Sequence, residues 1–527
     1  MEGERGGAGV PVRRMGYCGR GASRLSFALA LLVGGGGIAA GEAQGQAGPP
    51  IPEAAAPPPA PVFAGGGEPE VGGEAGPDAL RSRVTEDLAA IQRERPGHPF
   101  WQHVFSIPDG SVAFGSAVDG RLLAVFPRHG EWSRAGRWEE PALAESLEGH
   151  PLPNRLTDRR DEVADVLEPR VGEVVHNATR GDFLRPNRER YGGFVEEWGA
   201  IYERFGVPAG IGLGQAVVES GLNGRIRSEA RALGLCQWLP ANWNRMKSLA
   251  PNEIEGYNQT TQAPYCAAYL TILATKYGSF LPALSEHHAG GTNVGRVLIN
   301  GERLGLQDVR RQYLGGSQLA LDLRRMSANG YRQVVRSYGP RSYRYAEMVL
   351  GNAFTVEEIR QQVAQERIHA MRAQRAIPLS EVTERTGLSV DEVRRYNPAL
   401  VRQVPPGANL YLPMQVDAFG PDVAFWHEPP DPAFRDVLED FVALDRPWEE
   451  WDEPAFRTVL NDFRQRFQAT GTEEGHIMAT VLTYVMDEPY RAARVEILQE
   501  YRTDSRIQRF VRQGIHEREV TTATADR

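Results

Sequence analysis

The chain has 527 residues, room for three or four domains at about 150 residues each, and its 41% apolar and 24% charged residues exclude wholesale disorder, collagen and a coiled-coil rod. A formal charge of −9 gives no basic excess, so a nucleic-acid partner is not expected. Three Cys are too few for a disulfide scaffold or a structural zinc site, and the sequence points to no metal and no cofactor.

Residues 26–40 form an apolar run too short and Gly-rich for a membrane span. Arg13, Arg14, Arg20 and Arg24 precede it and small residues follow, the pattern of a secretory signal peptide over 1–45. The mature protein is then expected in the periplasm or cell envelope, with no membrane span; a retained anchor is the alternative. Residues 46–80, dominated by Pro, Ala and Gly, cannot bury a core and read as a disordered linker. Within 81–156 the pairs Asp109-Gly110 and Asp119-Gly120 lie between apolar runs and predict a small antiparallel meander.

From 157 to 356 the pattern is helical. Val163, Val166, Leu167, Val171 and Val175 recur at helical spacing, and further helices are expected at 192–205, 208–222, 262–278 and 341–352. Gly-rich stretches at 289–295 and 314–317 read as breaks. Residues 368–414 fit two short helices between two short strands. The region 415–527 is acidic, then helical. Trp426, Phe434, Phe441, Trp448 and Trp451 interrupt the acidic run, which favours a helical cap packed on another domain over a partner-binding acidic surface. The fold class is therefore mainly α, with a small N-terminal β meander and a small βααβ unit.

One segment carries chemistry. Glu219 follows Ala216, Val217 and Val218 and precedes Leu222, so its helix is largely apolar. Burial there would favour the neutral carboxyl and raise its pKa, as a general acid for glycosidic cleavage requires.

The segment resembles the catalytic core of the lytic transglycosylases, lysozyme-like enzymes that cut bacterial peptidoglycan. The matching positions are Glu219-Ser220, Ser228, Gly234-Leu235-Cys236-Gln237 and Pro240, all at the family's spacing. Ala268-Tyr269-Leu270 and Tyr345 match later signatures. The family's Ala-Tyr-Asn-Ala-Gly loop falls at Glu286-His287-His288-Ala289-Gly290, where His-His replaces Tyr-Asn. The resemblance implies an all-α lysozyme-like domain over 157–356, with Glu219 as catalytic acid. It implies substrate-binding roles for Ser220, Ser228, Gly234, Gln237, His287, His288 and Tyr345. Ser and Gln near helix ends also commonly cap backbone groups. The 368–414 unit resembles a degenerate LysM module through Asn397-Pro398 and Leu410-Tyr411-Leu412-Pro413, implying a tethered binder of N-acetylglucosamine-containing glycans. The partner implied is the peptidoglycan glycan strand; no protein partner is indicated.

Two other readings stand beside this one: a non-catalytic peptidoglycan-binding protein that keeps the fold, and a hydrolytic, goose-type lysozyme-like muramidase. The second would draw on Glu286 as a second carboxylate facing the cleft, whereas the plainer reading makes Glu286 a cap on a surface turn. Adjacent His287 and His288 rarely converge on one metal ion. Cys236 and Cys266 lie near the cleft in the family's arrangement, and export would permit a disulfide between them, which the sequence leaves open.

Overall fold

The computed structural model describes residues 77–251, 256–326, 340–420, 428–505, 508–509 and 511–512. The signal peptide, most of the linker and Trp426 lie outside the described residues. The described part is mainly helical, and no helix among the described residues is long and apolar enough to cross a membrane.

Helix α1 (Asp78–Glu94) begins inside the stretch read as linker. Leu80, Val84, Asp87, Ala90 and Ile91 recur on one face and are buried, so the helix belongs to the main core rather than to a β region. Asp87 accepts hydrogen bonds from Ser279 Oγ (2.7 Å), Phe280 N (2.6 Å) and Arg310 Nε (2.6 Å), which fastens α1 to the helical body.

After α2 (Trp101–Ser106) come β1 (Ser111–Ser116) and β2 (Leu122–Pro127), then a short turn α3 (Trp132–Ala135) and β3 (Arg137–Trp138). Asp119-Gly120 makes the hairpin turn, with Gly120 at φ +78°. Asp109-Gly110 instead joins α2 to β1, so only one of the two pairs closes a hairpin. Helix α4 (Leu156–Val171) stops at Gly172, whose φ is +76°. The β-branched run beyond it forms β4 (Val174–Ala178), so Val175 is in a strand and the sheet region extends well past 156. The sheet is antiparallel in the order β3-β2-β1-β4. Val112 and Phe114 face a local core with Val163 and Leu167 of α4, while Ala113 faces the main core.

The helical body contains α5 (Gly181–Tyr191), α6 (Val195–Arg204), α7 (Ala209–Ser220), α8 (Pro240–Leu249), α9 (Gln259–Tyr277), α10 (Phe280–Ala289), α11 (Gly291–Arg303), α12 (Val309–Met326) and α13 (Tyr345–Gln362). Glycines here permit close approach rather than breaks. A Cβ on Gly214 of α7 would lie 2.5 Å from the Val349 carbonyl of α13. The 289–295 break shrinks to Gly290. The 314–317 stretch is inside α12, where Gly316 meets the Val297 carbonyl of α11.

The βααβ unit pairs β5 (Ile368–Arg372) with a later antiparallel strand, and a second small pair begins with β6 (Ile377–Pro378). Helices α14 (Leu379–Thr386) and α15 (Val390–Tyr396), then β7 (Gln403–Val404) and β8 (Asn409–Pro413), complete it. It is not a free module on a tether. Ile368, Ala370, Tyr396 and Tyr411 join the main core, the Tyr411 hydroxyl lies 2.9 Å from Thr261 Oγ1, and Tyr396 packs on Phe194 at 4.9 Å. Helices α16 (Pro432–Val442), α17 (Pro454–Ala469), α18 (Glu473–Val485) and α19 (Glu488–Thr503) pack on the same body. Phe434, Phe441, Trp448 and Trp451 of the acidic stretch are buried in it.

Cys236 and Cys266 form a disulfide with Cα atoms 6.2 Å apart, closing 30 residues of chain. It ties the loop after α7 to the middle of α9. Replacing both Cys by Ser should lower unfolding free energy by about 2–4 kcal/mol in a denaturant titration, with the loop-closure entropy of the unfolded chain as the cause. An unchanged denaturation midpoint would show that the bridge does not constrain the chain.

Candidate functional site

Helix α7 ends where its apolar run ends. Gly221 caps it in the left-handed conformation, φ +56°, and Glu219 lies in its last turn. The Glu219 side chain is 13% exposed. A carboxylate buried to this degree needs partners, and two distant helices supply them. The Tyr345 hydroxyl, from the start of α13, donates to Glu219 Oε1 at 2.6 Å. His288 Nδ1, from α10, lies 3.4 Å from the same oxygen. The two rings stack, with centroids 4.2 Å apart and planes 12° apart. His288 Nε2 lies 3.1 Å from Ser342 Oγ, which fixes the far side of the ring. Oε2 of Glu219 has no hydrogen-bond partner among the described residues, so it is the oxygen left for a ligand.

The charge state follows from these partners. Burial pushes the Glu219 carboxyl up, but the hydrogen bond and charge of His288, the charge of His287 and the Tyr345 hydroxyl outweigh it, and the net direction is down. The upward shift expected from an apolar helix is therefore reversed by three side chains that the helix does not contain. Tyr345 is held well above the usual phenol range, by burial first and by Glu219 second, so it is a neutral donor. Burial also lowers His287.

The remaining sequence-predicted residues brace the loop that follows α7. Ser220 is fully buried and its Oγ donates to Ala216 O of its own helix (2.9 Å), which turns it away from any cleft. Ser228 Oγ accepts from Ala232 N at 3.0 Å. Gly234 has φ +88°, and a Cβ there would strike the Gln262 side chain, which accepts from Leu235 N. The Gln237 side-chain amide donates to Gly234 O (2.9 Å) and Ile226 O (3.2 Å). His287 Nε2 donates to Cys236 O at 2.7 Å. Leu222, Arg231 and Gln237 all adopt positive φ, at 66°, 61° and 51°. Three such non-glycine residues in one loop mean a conformation that its surroundings must enforce. Of the eight candidates, only Glu219, His288 and Tyr345 thus meet at one point.

Glu286 fits neither sequence expectation. It is buried, with Lys276 Nζ at 2.7 Å, Arg494 Nη1 at 3.2 Å and the Tyr277 hydroxyl on its carboxylate. Lys276 and Arg494 hold it below the usual range against the pull of burial. It is therefore neither a cleft carboxylate nor a surface cap. Sequence reading missed Gln262, which stands in no pattern that singles it out, and named Ser342 only as a residue flanking Tyr345. It also missed Tyr484 of α18, which packs with Trp238 and Tyr269 beside the loop. Comparison of the chain with known protein families and with curated proteins finds no match.

The lowered Glu219 pKa has a definite sign. The folded carboxyl releases its proton more readily than the unfolded one, so it adds stability above the unfolded pKa, and that contribution is lost as pH falls through the folded value. His288→Asn removes the imidazole charge and should move the Glu219 midpoint upward in a carboxyl-carbon NMR titration. A midpoint that stays put or falls would show that His288 does not set the charge state.

Proposed function

We propose that the chain is a peptidoglycan lytic transglycosylase acting in the cell envelope. It would cut the β-1,4 bond between N-acetylmuramic acid and N-acetylglucosamine and leave 1,6-anhydro-muramyl ends. The observation that carries this reading is the meeting of Tyr345 and His288 on one oxygen of Glu219. The three residues come from separate helices; Glu219 and Tyr345 stand at positions where the chain resembles that family, and His288 stands in the family's loop where His-His replaces Tyr-Asn. The resemblance of the docked βααβ unit to a LysM module supports a glycan partner.

In this reading the protonated form of Glu219, a minor form at neutral pH because its pKa is lowered, donates from Oε2 to the glycosidic oxygen as the bond breaks, and positive charge develops at the muramyl anomeric carbon. The carboxylate so formed then takes the proton of the muramyl 6-hydroxyl, whose oxygen closes the anhydro ring. No water is consumed, and one carboxyl serves both steps. Tyr345 and His288 hold Oε1 and stabilise the ionised form between the steps. The salt-bridged Glu286 is unavailable as the second carboxylate on which the hydrolytic alternative would draw.

The test is incubation of the purified chain with sacculi and identification of the released muropeptides by mass. Anhydro products are expected from the wild type, and Glu219→Gln should slow their release by about two to four decades, the worth of a general acid. Undiminished release by the variant would refute the assignment, and products carrying an added water would favour hydrolysis.

A further inference from the structure

Among the described residues Arg180 has no counter-ion within ion-pair distance. It lies between β4 and α5 and is none of the positions at which the chain matches the family's motifs. Its guanidinium rests 4.6 Å from the Phe183 ring centroid and 6.0 Å from that of Phe105. Phe183 in turn packs on Gly221, the residue that caps the helix of Glu219. Among the described residues the Arg180 side chain donates no hydrogen bond and has no carboxylate within ion-pair distance. By contrast Arg95, Arg204, Arg310 and Arg494, which are also buried or part-buried, are all ion-paired. Burial lowers the pKa of Arg180, and the more distant charges of Asp109 and Glu219 offset this only in part.

We propose that Arg180 is a specificity-determining residue that binds a carboxylate on the peptide stem of the muramyl sugar at the cleavage point. This deepens the transglycosylase reading and rests on it. An uncompensated guanidinium gains most from an opposite charge, and its planar fork matches a carboxylate with two parallel hydrogen bonds. Sugar hydroxyls and acetamido groups are neutral and would leave the charge unanswered. In a glycan strand only the muramyl residues carry a stem with free carboxylates, so this contact would also orient the strand across Glu219.

The experiment compares kcat/KM on peptide-bearing strands with kcat/KM on strands whose stems have been removed, for wild type, Arg180→Gln and Arg180→Lys. Matched thermal midpoints serve as the folding control. The ratio of the two values should fall by about ten- to a hundredfold in Arg180→Gln, the worth of a charge-assisted hydrogen bond, and recover in part in Arg180→Lys. An unchanged ratio overturns the proposal, as does a shifted pH profile at constant ratio, which would mean that Arg180 acts only through Glu219. A parallel arm measures binding of a disaccharide-tetrapeptide and of the bare disaccharide to Glu219→Gln, with and without Arg180→Gln. If the wild type cleaves neither strand, the transglycosylase reading fails, and this arm still decides the role of Arg180. Weaker binding of the tetrapeptide alone supports it; equal affinities, or no binding, overturn it.

Discussion

A carboxylate at the end of an apolar helix is the constraint around which the rest is arranged. Burying Glu219 uncompensated would cost several kcal/mol, so the fold must bring donors to it. Tyr345 and His288 do this, and they require α7, α10 and α13 to meet within hydrogen-bond distance. Gly214 of α7 makes the approach to α13 possible: with a side chain there the two backbones could not come as close. Helix α10 is held from both ends of the chain. Asp87 of α1 accepts from the backbone at its start, and Arg494 of α19 pairs with Glu286 near its end. The N-terminal helix and the C-terminal cap, remote in sequence from the site, thus fix where His288 stands.

What the sequence disclosed follows from the range of the interactions. Helix α7, the Asp119-Gly120 hairpin and the βααβ order are set by local periodicity and turn chemistry, and they were legible. The place of Glu219 in the last turn of an apolar helix was legible because that signal is local. The charge state of Glu219 was not, because the groups that reverse the effect of burial, His287, His288 and Tyr345, lie on other helices far along the chain. The glycines of α11 and α12 misled for the same reason. A glycine that breaks a helix and one that lets two helices touch look alike until the neighbour is known. Glu286 is the clearest case, since Lys276 and Arg494 decide its role and neither could be placed beside it from the sequence.

The loop from 221 to 239 shows how conformational strain is sustained. Leu222, Arg231 and Gln237 sit in a region that costs non-glycine residues about 1–3 kcal/mol each. Set against this are the Gln237 and Ser228 bonds within the loop, the Gln262 carbonyl on Leu235 N, the His287 bond to Cys236 O, and the disulfide to α9. Polar residues that resemble a substrate-binding set are here consumed in holding the backbone. Their effect on a ligand would then pass through the shape of the loop rather than through direct contact.

The same division of labour bears on how one carboxyl could act as both acid and base. A group held below its ordinary range gives up a proton readily but carries one less often. The Tyr345 hydroxyl and His288 Nδ1, both on Oε1, stabilise the ionised form without occupying Oε2, where the proton would come and go in the proposed reaction. The exchange site therefore stays open while the charge is held from behind. Removing either donor would raise the Glu219 pKa, which favours the protonated form and makes the group a weaker acid and a stronger base. The arrangement of Glu219, Tyr345 and His288 suits a group that has to pass through both states in one turnover.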